Sequence, residues 1–117
     1  MWIAIASISG ALAVVAGAFG AHGLRSRVSP EQLAAWVTAS QYQLIHSLLL
    51  LAIALYAASA DKDIRLPGSL LLVGMLLFSG SIYGLVLTQA KWLGPVTPLG
   101  GLCLIAGWGS LLLLARS

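Results

Sequence analysis

Charged side chains are scarce in this chain. Of 117 residues, six are Lys or Arg and three are Asp or Glu, 8% together, against about 25% in an ordinary soluble domain. A water-soluble fold of this length needs far more polar surface than that, so the composition excludes a soluble globular domain and points to lipid as the solvent. The basic residues stand singly at the ends of apolar runs, the pattern of membrane anchoring, and form no stripe of the kind that binds nucleic acid. A single cysteine, Cys103, excludes an intrachain disulfide and reads as a small packing residue. It and the two histidines lack metal-site spacing. No nucleophile motif, phosphate loop or paired in-membrane carboxylates occur, and all three acids (Glu31, Asp61 and Asp63) lie outside the apolar runs. The expectation is therefore a protein without enzymatic activity, cofactor or metal.

Hydrophobic residues, by contrast, make up 60% of the chain. They fall into four runs, at about residues 2–24, 42–60, 66–88 and 98–115, each able to cross a hydrocarbon core of about 30 Å. The short connections at 25–30, 61–65 and 89–96 predict an all-α integral membrane protein, an antiparallel four-transmembrane-helix bundle, with residues 1–117 as a single domain. The small residues ending the first run resemble a signal cleavage site, but no positive residue precedes the run and it exceeds an h-region of about 7–15 residues. It is read as a span. Arg25, Arg27 and Lys91 flank one side of the bundle and Lys62, Arg65 and Arg116 the other, a tie from which the positive-inside rule assigns no orientation.

Ser29-Pro30-Glu31-Gln32 has the form of a capping box with Pro at the first helical position, so the second helix should begin at Pro30. Extended to Ala60 it is about 46 Å long, more than the membrane core requires. Its start is expected to protrude, bend or lie in the interface, with Thr38, Ser40, Gln41 and Gln43 near that surface and Trp36 as an interfacial anchor. Small residues recur four apart at Ser9, Ala13, Gly17 and Ala21, at Gly80, Gly84 and Thr88, and at Cys103 and Gly107. Close helix contact, chiefly within the bundle, is their expected use.

Polar groups at membrane depth are costly and usually point inward. His46 follows Tyr42 and Gln43 by four and three positions, which suggests one face bearing imidazole, phenol and amide. Ser79 and Tyr83 pair likewise on the third helix, with Ser81 nearby. Two readings stand open: a small polar cavity, or a hydrogen-bonded network with no ligand. Around the first and third connections His22, Arg25, Arg27 and Lys91 suit an anion. There Thr97 can cap a helix begun by Pro98, leaving the N–H groups of Gly100 and Gly101 open to it. Haem is disfavoured because, for a straight second helix, His22 and His46 lie about 18 Å apart in depth.

Gly17-Ala18-Phe19-Gly20-Ala21-His22-Gly23-Leu24, Trp36 with Thr38, Tyr42-Gln43 with His46 and Leu48, Phe78-Ser79-Gly80-Ser81 with Tyr83, and Gly94-Pro95 with Thr97-Pro98, Gly100-Gly101 and Gly107-Trp108 occur in that order. In these motifs the chain resembles, over essentially its whole length, the family termed domain of unknown function 423, which includes small bacterial inner-membrane proteins and a eukaryotic transmembrane protein. The resemblance implies a four-span membrane protein and supplies no catalytic residues.

The leading expectation is a non-enzymatic, multi-pass protein of the bacterial inner (plasma) membrane. Its polar pocket of His22, Tyr42, Gln43, His46, Ser79, Tyr83, Thr97, Gly100 and Gly101 would bind an anionic lipid or amphiphile. The alternatives are an accessory or assembly subunit packing its glycines against a homo-oligomer or larger membrane complex, and a small transporter in which His46 titrates.

Overall fold

The capping box forms as its sequence dictates. In the computed structural model, which describes residues 1–116, the hydroxyl of Ser29 accepts from the Gln32 backbone N–H at 3.1 Å and the Gln32 side-chain carbonyl accepts from the Ser29 N–H at 3.0 Å. From there α2 runs unbroken over Pro30–Ala60. Before it, α1 spans Trp2–Phe19 and continues as one wide π-helical turn, Gly20–Leu24. After it come α3 (Arg65–Thr88), a 3-10 turn (Lys91–Leu93), α4 (Val96–Ser110) and the short α5 (Leu112–Arg116). Asp61 and Gln89, with φ of 53° and 58°, end α2 and α3 in the left-handed conformation common at helix C-termini.

Among the described residues four helical stretches are long and apolar enough to cross a membrane: Trp2–Leu24, Pro30–Ala60, Arg65–Thr88 and Lys91–Arg116. Consecutive ones pack side by side, α1 on α2, α2 on α3 and α3 on α4. The outward faces are apolar, with Ile8, Val15, Leu48, Leu76, Leu102 and Ile105 all exposed. Two apolar cores lie inside. One, toward the N-terminus of α1, joins Ala6, Leu50, Ile53, Ala54, Ile64, Leu71, Met75 and Leu104. The other joins Leu24, Trp36, Ala39, Ile82 and Val86. On α2 and α3 the buried residues between these cores are polar: Ser40, His46 and Ser47, and Ser79 and Ser81.

Trp36 is not an interfacial anchor; it is 4% exposed and central to the second core. Gly20 makes this possible, since a Cβ there would sit 2.6 Å from the indole Cδ1. The ring lies against Phe19 and Tyr83 at centroid distances of 5.8 and 4.6 Å and its N–H donates to the Ala16 carbonyl at 2.7 Å. The start of α2 is thereby locked to α1, and Leu33 and Ala35 join the packing around this core. The exposed indole at the membrane end is Trp92, on the 3-10 turn.

The expectation of close helix contact at the spaced glycines holds at Gly107 and fails at Gly80 and Gly84. A Cβ on Gly80 would meet no atom within 4 Å, and at Gly84 the nearest group is the flexible Leu93 side chain. The glycines that draw helices together are Gly74, Gly100 and Gly107. A Cβ on Gly100 would fall 2.2 Å from the Phe78 backbone nitrogen, one on Gly74 2.6 Å from Leu104, and one on Gly107 2.7 Å from Leu71. They close the α3–α4 seam. On α1 the ladder does face inward over most of its length: Ala13 is buried and Gly17 lies against Ser40, while Ala21 is exposed.

Candidate functional site

α3 meets α4 through glycine, but it does not close on α1. The two helices leave between them a groove of about 510 Å³, walled by Ile5, Ile8 and Leu12 of α1 and by Leu72, Met75, Leu76 and Gly80 of α3. Its remaining lining is polar: Ser9, Gln43, Ser79 and Tyr83. Among the described residues, no charged one lines it.

Gln43 ties the three helices together. Its Nε2 donates to the Ser9 carbonyl at 3.0 Å, and its Oε1 accepts from the Tyr83 hydroxyl at 2.7 Å. The Ser47 hydroxyl lies 2.7 Å from the Ser9 hydroxyl and 2.6 Å from the Gln43 carbonyl. Ser79, fully buried, donates to the Ala39 carbonyl at 2.7 Å. No buried side-chain nitrogen or oxygen among the described residues lacks a partner. The membrane-depth polar groups are thus satisfied by one another and by backbone carbonyls, the requirement set by a hydrocarbon surround.

The face predicted to carry Tyr42, Gln43 and His46 together is split. Successive helical residues are rotated by about 100°, so Gln43 turns toward α1 and Tyr83 while Tyr42 and His46 turn elsewhere. The Tyr42 ring stacks on Phe78 at 4.8 Å and on His46 at 5.8 Å. His46 Nδ1 lies 2.6 Å from the Tyr42 carbonyl, and Nε2 lies 3.0 Å from the Trp108 indole nitrogen. A carbonyl can only accept and an indole N–H can only donate, so these bonds fix the neutral Nδ1–H form of the ring. His46 is a buried latch between α2 and α4.

Other expected members are separated as well. Ser81, two residues and about 200° from Ser79, faces α4 and bonds the Thr97 hydroxyl at 2.5 Å. Thr97 is therefore not an N-cap: α4 begins at Val96 after Pro95, with no side-chain cap. Gly100 is buried against the α3 backbone, so its N–H does not form an open anion cradle, and Gly101 faces the Phe78 ring. His22 is exposed, outside both hydrogen-bonded clusters. Of the nine expected residues, the groove gathers Gln43, Ser79 and Tyr83. Ser9 and Ser47 complete the network. Ser47 is four residues beyond Gln43, and that spacing was the available signal. Trp108 carried no such signal, because its partner is set by the packing of another helix.

Four apolar spans with charge confined to their ends define a small multi-pass integral membrane protein. Its family is shown by direct comparison: the chain belongs to the group described as "Protein of unknown function (DUF423)", whose model matches residues 16–101. It is similar to a UPF0382 membrane protein of Staphylococcus aureus, 42% identical over 108 residues, covering 92% of this chain and 88% of that one. A UPF0382 membrane protein of Staphylococcus saprophyticus is 41% identical, with 92% and 90% covered. One of Schizosaccharomyces pombe is 42% identical over 114 residues, with 92% and 95% covered. No solved structure matches significantly.

Proposed function

We propose that the α1–α3 groove holds an uncharged amphiphile, or the tail of a lipid, within the plasma (inner) membrane, and that the protein performs no covalent chemistry on it. The observation that carries this reading is the groove itself. Its volume of about 510 Å³ falls within the roughly 300–1,000 Å³ of small-molecule pockets, and apolar walls surround a few polar groups, as ligand sites commonly do. The anionic preference expected from the sequence is not supported at this place, because no charged group among the described residues lines the groove. The Tyr83 hydroxyl, whose proton goes to Gln43, can instead accept a hydrogen bond from a ligand hydroxyl at the polar floor.

The test is quantitative. Wild-type protein purified in mild detergent and extracted with organic solvent should yield about one molecule of a single amphiphile class per chain, enriched over the bulk membrane. An extract with the composition of the bulk membrane contradicts the proposal.

The open space at Gly80 favours one alternative, a helix of a second copy or of a larger complex seated in the groove. That reading predicts a dominant co-purifying chain in place of the amphiphile. A transporter has less support, since both ring nitrogens of His46 are engaged.

A further inference from the structure

A second cleft, of about 380 Å³, opens between the start of α2 and the end of α3. It belongs to the opposite half of the molecule from the apolar core built around Leu50 and Leu71, and its chemistry differs from that of the groove. Ala35, Ile82, Leu85 and Val86 supply the apolar part, while Glu31, Gln32, Gln89 and Lys91 supply the polar part. Glu31 and Lys91 are exposed, and among the described residues no hydrogen bond or ion pair engages either side chain; the salt bridge among the described residues joins Asp63 and Arg65 at the other end. The neighbouring Trp92, 72% exposed, marks this as the end of the bundle suited to the headgroup layer.

We propose that this cleft seats a zwitterionic aminophospholipid. The Glu31 carboxylate accepts hydrogen bonds from the primary ammonium of the headgroup. The Lys91 ammonium and the amide N–H groups of Gln32 and Gln89 donate to the phosphate, and the upper acyl chain lies on the half-buried Ala35 and Leu85. Gln32 is suited to this because its Oε1 is already used by the capping box, leaving the amide nitrogen to donate. Opposite charges on one rim select a headgroup carrying both signs over an anionic one. A carboxylate without a surrounding aromatic cage selects a primary ammonium, which donates hydrogen bonds, over a quaternary one, which does not. This assignment does not depend on what fills the α1–α3 groove.

Native mass spectrometry of the full chain in detergent, titrated with phosphatidylethanolamine, phosphatidylcholine and phosphatidylglycerol of matched acyl chains, tests it. Phosphatidylethanolamine should bind about tenfold more tightly than phosphatidylcholine, the scale of a charge-assisted hydrogen bond. Glu31→Gln should abolish that preference without weakening phosphatidylglycerol. Lys91→Gln should weaken phosphatidylethanolamine and phosphatidylglycerol together, and Gly80→Leu, which fills the separate groove, should leave the preference intact. Equal binding of phosphatidylethanolamine and phosphatidylcholine, tightest binding of phosphatidylglycerol, a preference that survives Glu31→Gln, or one that vanishes with Gly80→Leu overturns the assignment.

Discussion

On its α4 side, α3 is joined by glycine: Gly74, Gly100 and Gly107 leave no room for a Cβ, and the backbones of the two helices approach closely at Phe78 and Gly100. On its α1 side it keeps its distance, and the opening is spanned by side chains, Gln43 reaching both Tyr83 and Ser9. The α4 side gains stability from dispersion between close surfaces, the usual basis of helix association in lipid. The α1 side has hydrogen bonds at its floor and a groove above it. One helix thus carries a structural seam and a candidate binding seam, and the same substitution should act very differently on the two.

The largest expected effect comes from overfilling the closed seam. Gly100→Leu should yield no folded protein, and Gly100→Ala should cost about 3 kcal/mol in a detergent melt, whereas Gly80→Ala should leave the melting curve within about 0.5 kcal/mol of wild type. Similar losses at both positions would erase the distinction. Next is the aromatic anchor that sets α1 on α2: Trp36→Ala should cost about 3–5 kcal/mol, and Trp36→Phe, which keeps the packing and loses the bond to Ala16, about 1 kcal/mol. The floor of the open seam should count for less. Gln43→Leu removes the bonds to Ser9 and Tyr83 and should cost about 1 kcal/mol; a cost like that of Trp36→Ala would mean that the open seam is as structural as the closed one. Trp108→Phe takes the donor from His46 Nε2, for about 0.6 kcal/mol.

The smallest effect is expected outside both seams. The hydrogen bonds from the Arg65 guanidinium and backbone N–H hold the Asp63 carboxyl below its usual range. A lowered carboxylate pKa contributes stability above the ordinary carboxylate range and loses it as the pH falls through the lowered value. Both groups are fully exposed, where solvent screens the pair. Asp63→Asn should therefore not move the melting curve, and the wild-type curve should be flat above about pH 5. A clear change in either would assign this loop a structural weight that its exposure argues against.

What was legible in the sequence was local or compositional. The four spans follow from hydropathy and length, and the start of α2 from Ser29, Pro30 and Gln32, whose bonds close within four residues. Which residues meet across helices was not legible, because it depends on the rotation of each helix about its own axis. Gly80 and Gly84 have the spacing of a packing motif and face the groove and a connection, while Gly74 and Gly100, without that spacing, make the tight contact. Trp36 stands at a position suited to an interface, yet a slot made by Gly20, sixteen residues earlier, buries it. His22, His46 and Thr97 are polar residues of similar promise in one dimension; in three they are separately an exposed side chain, a latch to Trp108 and a partner of Ser81.

The most direct test of the open seam is the occupancy of Gly80→Leu, which puts a side chain into the groove where no atom lies within 4 Å. Native mass spectra of this variant and of wild type, prepared identically and with matching melting curves, compare the bound amphiphile. A groove that binds an amphiphile predicts an adduct on wild type that Gly80→Leu loses, apart from any phosphatidylethanolamine held in the second cleft; identical adduct spectra for both proteins would contradict it.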